Sequence, residues 1–103
     1  MIYELRIYTC VPGSVDKVLR MWESEGQLML KPYFTLKGQW VAESGVCNQI
    51  YSLWEFETMD HRNEMRKQLL KHPGFMDYLE RCRAYYVKQE SIFLSPTAIS
   101  PMP

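Results

Sequence analysis

The sequence has no long apolar run free of charge, no closely spaced cysteine pair, no glycine-rich phosphate loop and no excess charge of either sign. Each absence removes a class of protein. A bilayer-spanning helix needs about 20 consecutive apolar residues, so no membrane partner is expected. The 12 basic and 12 acidic residues cancel. A chain without a basic field cannot displace the counterions of a nucleic acid, so neither DNA nor RNA is an expected partner. The locally basic run around His61, Arg62, Arg66 and Lys67 is offset by Glu57, Asp60 and Glu64. Cys10, Cys47 and Cys82 are odd in number and far apart, which argues against a disulfide framework and for small hydrophobes. The opening MIYELRIYTC sets Glu4 and Arg6 among its apolar residues, unlike a secretory h-region, so the cytoplasm is the expected compartment.

Histidine is scarce as well. His61 and His72 have no partner at metal-ligand spacing and no HExxH context, so no metal is expected. Ser52 lies in a strand pattern and not at a GxSxG turn, which removes it as a nucleophile. No cofactor motif is present, and no cofactor is expected.

What remains is one apolar-rich domain, 47% hydrophobic over 103 residues. IYELRIYT reads as a strand, with Tyr3, Leu5 and Ile7 on one face and Glu4, Arg6 and Tyr8 on the other. Pro12-Gly13 breaks it, and Ser14 is the expected N-cap of a helix carrying Val15, Val18, Leu19, Trp22 and Met29 inward, weakened at Gly26 and stopped by Pro32. YFTLKGQWVAES and NQIYSLWEFE then read as an antiparallel hairpin, the first placing Phe34, Leu36, Trp40 and Ala42 on one side. Asp60 is the expected cap of a second helix through Lys71, with Arg62, Met65, Arg66 and Leu69 along one flank. Phe75 to Cys82 forms a short third helix, and Tyr85–Leu94 the last strand. The order β-α-β-β-α(α)-β predicts an α+β fold with a four-stranded antiparallel sheet in the ferredoxin-like arrangement over residues 1–95. Residues 96–103 form a proline-rich, extended tail.

Helices in this arrangement cover one face of the sheet only. The strand NQIYSLWEFE carries large apolar groups on both faces. The uncovered plane measures roughly 600 Å² from strand spacing and rise, near the upper end of what monomers expose. A second copy facing it, as a two-fold homodimer, is the expected cover.

IYELRIYTCVPG, Gly38-x-Trp40, Glu43-x-Gly45, Asn48 before Leu53-Trp54, Arg62-x-x-x-Arg66, His72-Pro73, Tyr78, Gln89-Glu90, Pro96 and Ser100-Pro101 together resemble the NIPSNAP family. That resemblance spans nearly the whole chain and implies a dimeric α+β barrel, two ferredoxin-like sheets packed together with helices outside. Two positions depart from it. Ser52 stands where the family often has a histidine before the Leu-Trp pair, removing the most obvious general base, and Ile99 stands where an aromatic often precedes Ser-Pro.

A small organic ligand, aromatic or carboxylate-bearing, in a pocket between sheet and helices is the leading expectation. Arg6 suits a carboxylate because its planar fork donates two parallel hydrogen bonds. A Glu4–Arg6 ion pair at the dimer seam is the structural alternative. Arg62 and Arg66, one turn apart, form either an anion clamp in the cleft or surface pairs with Asp60 or Glu57. Barrels of the type the resemblance implies include cofactor-free monooxygenases of flat aromatics. By that analogy Trp40 and Trp54 are walls, Arg6 and Arg66 anchors, and Tyr8 or Glu90 a proton-handling group. A solidly packed, non-enzymatic interaction module is the alternative, and the missing histidine leaves catalysis open.

Overall fold

Alternating β-branched, aromatic and charged residues form four strands, β1 (Ile2–Cys10), β2 (Thr35–Val41), β3 (Gln49–Phe56) and β4 (Tyr86–Leu94). They pair antiparallel in the order β2-β3-β1-β4. The helical segments are α1 (Val15–Met21), a π-helical turn (Trp22–Gly26), α2 (Gln27–Leu30), α3 (Met59–Leu70) and α4 (Phe75–Arg83). The computed structural model describes all residues, 1–103, and its topology is the expected ferredoxin-like α+β arrangement. No helix is long and apolar enough to cross a membrane.

Ser14 stands at the N-cap of α1 as expected but without a side-chain cap, and the cap of α3 differs from expectation. The Ser14 hydroxyl donates to the Val11 carbonyl at 2.6 Å and closes the turn before α1, with no bond to the helix N-terminus. Thr58, not Asp60, caps α3: its Oγ1 accepts from the His61 N–H at 3.0 Å, and Asp60 sits in the first turn, where its charge suits the helix dipole. The expected single helix after Ser14 is also interrupted by the π turn. There Gly26 is buried so tightly that an added Cβ would stand 2.2 Å from the Tyr78 Oη. Only a residue without a side chain admits α4 this close.

The largest correction concerns β2. Pairing slips between Leu36 and Gly38, so Leu36 opposes Trp54 whereas Trp40 opposes Tyr51. One extra residue inverts every following side chain. Leu36 and Trp40 therefore lie on opposite faces, and the Trp40 ring folds back over Gly38, leaving 2.3 Å to an added Cβ.

On the helix-covered face, β3 contributes Ile50, Ser52, Trp54 and Phe56, all buried. Edge-on aromatic contacts knit this core: Trp22 to Trp54 at 5.6 Å, Phe34 to Trp54 at 5.5 Å and Phe34 to Phe56 at 5.0 Å between centroids. From α4, Phe75, Tyr78 and Cys82 complete it at i, i+3 and i+7. The opposite face carries Leu5, Ile7, Tyr51 and Leu53, rimmed by Trp40, Ile92 and Leu94, which are 55%, 43% and 42% exposed. At one end of this face the chain's own tail returns, and the Tyr3 hydroxyl donates to the Pro103 carbonyl at 2.5 Å.

Candidate ligand pocket

The site is organised around one buried carboxylate. Glu4 is 0% exposed. Its Oε1 accepts from Arg62 Nε at 3.0 Å, and its Oε2 accepts from Arg62 Nη2 at 3.0 Å, Ser91 Oγ at 2.7 Å and Arg6 Nη1 at 3.2 Å. Burial alone would push the Glu4 carboxyl up, but the Arg62 and Ser91 hydrogen bonds and the Arg6 charge outweigh it and hold the group below the usual carboxylate range. Four donors use most of the acceptor capacity of a carboxylate. The Glu4–Arg6 pair thus forms, but beneath the helices and not on the open face. Arg62 pairs with Glu4 and not with Asp60 or Glu57.

Beside this cluster a cavity of about 140 Å³ opens between sheet and helices. Its floor is a polar row across the sheet, Gln39 on β2, Ser52 on β3 and Arg6 on β1, aligned by register. Gln39 Nε2 donates to Ser52 Oγ at 3.3 Å. The apolar walls include Trp22, Leu30, Phe34 and Trp54, which also bound a neighbouring groove towards Leu36. Arg66 lines the cavity and takes part in no ion pair. Arg66 is exposed as a residue, but the partial loss of water around its guanidinium at the cavity, and then the nearby Arg62 and Arg6 charges, push its pKa down. Arg6 Nε is buried without a hydrogen-bond partner. The Arg6 guanidinium also lies 5.6 Å from the Tyr8 ring centroid, and Tyr8 stacks on Tyr86 at 4.7 Å. Burial pushes the Tyr8, Tyr78 and Tyr86 hydroxyls up, with Arg6 opposing this at Tyr8, so all three stay protonated donors at neutral pH. No aspartate, glutamate or histidine lines the cavity.

The structure therefore brings together Arg6, Tyr8, Trp54 and Arg66. It separates the other three expected residues. Trp40 is turned to the open face by the β2 slip. Glu90 opposes Ile7 on that same face and pairs with Lys88 at 3.5 Å, so it handles no proton in the cleft. Arg62 is consumed by Glu4. Gln39, Tyr78 and Tyr86 are additional lining residues. The 75-78-82 spacing of α4 carried the signal for Tyr78, whereas Gln39 became visible only once the slip was known.

The sequence profile of the NIPSNAP family matches residues 3–101. The chain belongs to the NIPSNAP family. Human Protein NipSnap homolog 3A is 30% identical over 93 residues, 88% of this chain but 37% of that protein. The chain thus spans well under half the length of the curated NIPSNAP relatives it matches. A crystal structure of a NIPSNAP domain protein from Burkholderia xenovorans superposes with a TM-score of 0.95 at 32% identity, over 98% of this chain and 99% of that one. A crystal structure of an antibiotic biosynthesis monooxygenase shares the fold, with a TM-score of 0.69 at 10% identity over 94% of this chain and 99% of that one. Within this NIPSNAP chain the expected histidine position is Ser52, on the cavity floor, where it offers a hydroxyl and no base.

Proposed function

We propose that this NIPSNAP chain binds a small, largely apolar organic molecule in the cleft between sheet and helices. The observation that carries this reading is an unfilled cavity with a polar floor. A cavity of ~150 Å³ accepts one aromatic ring, and here the apolar walls end on Arg6, Ser52 and Gln39. A solidly packed interaction module predicts no such space. The lining groups are donors without a base, which supports binding and oxyanion stabilisation above proton abstraction. Native mass spectrometry of the purified protein, with a thermal-shift screen of single-ring aromatics, tests it. The expected result is a bound small molecule or a stabilising hit that is lost in Ser52→Leu, whose side chain fills the floor while circular dichroism remains unchanged. No hit, or a hit indifferent to Ser52→Leu, would overturn the assignment.

The functional unit in this reading is a homodimer with open faces apposed. Trp40, Ile92 and Leu94 support it, since each keeps more than two-fifths of its surface on one sheet face. The ~600 Å² plane approaches the ~800 Å² each partner contributes to a standard interface. Sedimentation at micromolar concentration should give twice the 12.3 kDa chain mass, and a monomer would remove the dimer from the reading.

A further inference from the structure

Building on the pocket reading, we infer that the preferred ligand is a monoanion, a single-ring carboxylic acid whose carboxylate lies between Arg6 and Arg66. Two guanidinium groups, Arg6 and Arg62, together with Ser91, occupy the one carboxylate of Glu4 by hydrogen bonds, and a third, Arg66, lines the cavity close enough to feel their charges. Arg62 spends two of its donors on Glu4 and is satisfied by it. Arg6 gives Glu4 one donor at 3.2 Å and keeps a buried Nε without a partner. Arg66 has no ion pair. Arg83, the other arginine on the lining, is tied to Glu80 at 2.9 Å and is not a competitor for the ligand.

Two cations therefore meet at the cavity with unspent donors; no acidic side chain lines it, and Glu4 beside it pairs with Arg6 and Arg62 but leaves Arg66 without a counter-charge. A buried donor without a partner is costly, and a planar carboxylate is the acceptor that fits a guanidinium best. Size limits the rest of the molecule. About 140 Å³ walled by Trp22, Phe34 and Trp54 takes one ring stacked among aromatics. Glu4 acts here as a positioning residue, fixing the Arg6 guanidinium and adding to the cleft a negative charge too small to cancel the three positive ones.

Benzoate and its neutral isostere benzamide separate charge from shape, and titration followed by two-dimensional NMR reads both. We expect benzoate to bind about tenfold or more tightly than benzamide, as a charge-assisted hydrogen bond implies. Arg66→Gln, at an exposed helix position, should lower benzoate affinity about tenfold and leave benzamide within about twofold. Equal affinities for the two probes, or an unchanged ratio in Arg66→Gln, would overturn the monoanion inference and leave the pocket standing. Binding of neither probe, with the wild-type spectrum intact, would overturn both.

Discussion

Both faces of the sheet mix apolar and charged residues, but they treat their charges differently. The face covered by helices holds Glu4, Arg6 and Ser52, and α3 lowers Arg62 onto it. The face left open holds Leu5, Ile7, Leu53 and Tyr51, with Glu55, Lys88 and Glu90 paired near its margins. An ordinary half-buried strand puts apolar residues under the helices and polar ones outside. Here the covered side is where polar groups converge on a space, and the open side is where apolar groups lack a cover. The two departures teach the same lesson: the charges under cover motivate the proposed site, and the uncovered apolar groups motivate the proposed interface.

Removing the charge at the centre of the covered face should break this contrast most severely. Glu4→Gln leaves Arg62 and Arg6 without their counter-charge, and we expect a loss of about 3 kcal/mol in urea unfolding. Glu55→Gln, a carboxylate on the open face paired with Lys37 at 3.9 Å, should cost less than about 0.5 kcal/mol. Equal costs would erase the distinction. Next in size, Gly26→Ala drives a methyl into the Tyr78 phenol and should cost about 2 kcal/mol. Tyr78→Phe in the same chain should recover part of that loss, a coupling readable in a double-mutant cycle.

Acid sharpens the contrast further. Because the folded-state pKa of Glu4 is lowered, its contribution is fully present above the ordinary carboxylate value near ~4.3 and disappears as pH falls through its own lower pKa. Stability of the wild type should drop more steeply than that of Glu4→Gln between about pH 5 and pH 2, as urea titrations at stepped pH would show. The smallest change in monomer stability belongs to the open face. Ile92→Asp should leave unfolding of the monomer within about 0.5 kcal/mol yet shift sedimentation towards the single chain. If assembly were untouched, the open face would not be an interface.

The strands, the helical flank Arg62-Met65-Arg66-Leu69 and the inward α4 residues were legible because each follows a local period of two or of three to four residues. The same periods grouped Arg6 with Tyr8 on one strand face and Arg62 with Arg66 on one helix flank, whereas the roles of Tyr8, Trp54, Arg6 and Arg66 in a pocket came from the family resemblance. Trp40 was misassigned because period-two counting runs through the slip between Leu36 and Gly38 without seeing it, and the extra residue shows only against its partner β3. Glu90 was grouped with the cleft although β4 pairing puts it opposite Ile7. Residue type alone placed the N-cap of α1 correctly at Ser14 but that of α3 wrongly at Asp60, because the choice of cap depends on which backbone N–H a side chain reaches.

By itself, the order of apolar periods and breakers in this chain determined the α+β topology, the lone covered face and the alternation along each strand, since all are set by neighbours a few residues apart. Tertiary structure alone decided which face the helices cover, that Arg62 rather than Arg66 is neutralised by Glu4, and that a cavity persists beside them. Those outcomes depend on contacts between residues as far apart as Glu4 and Ser91, and long-range register is a property of the packed sheet, not of any segment within it.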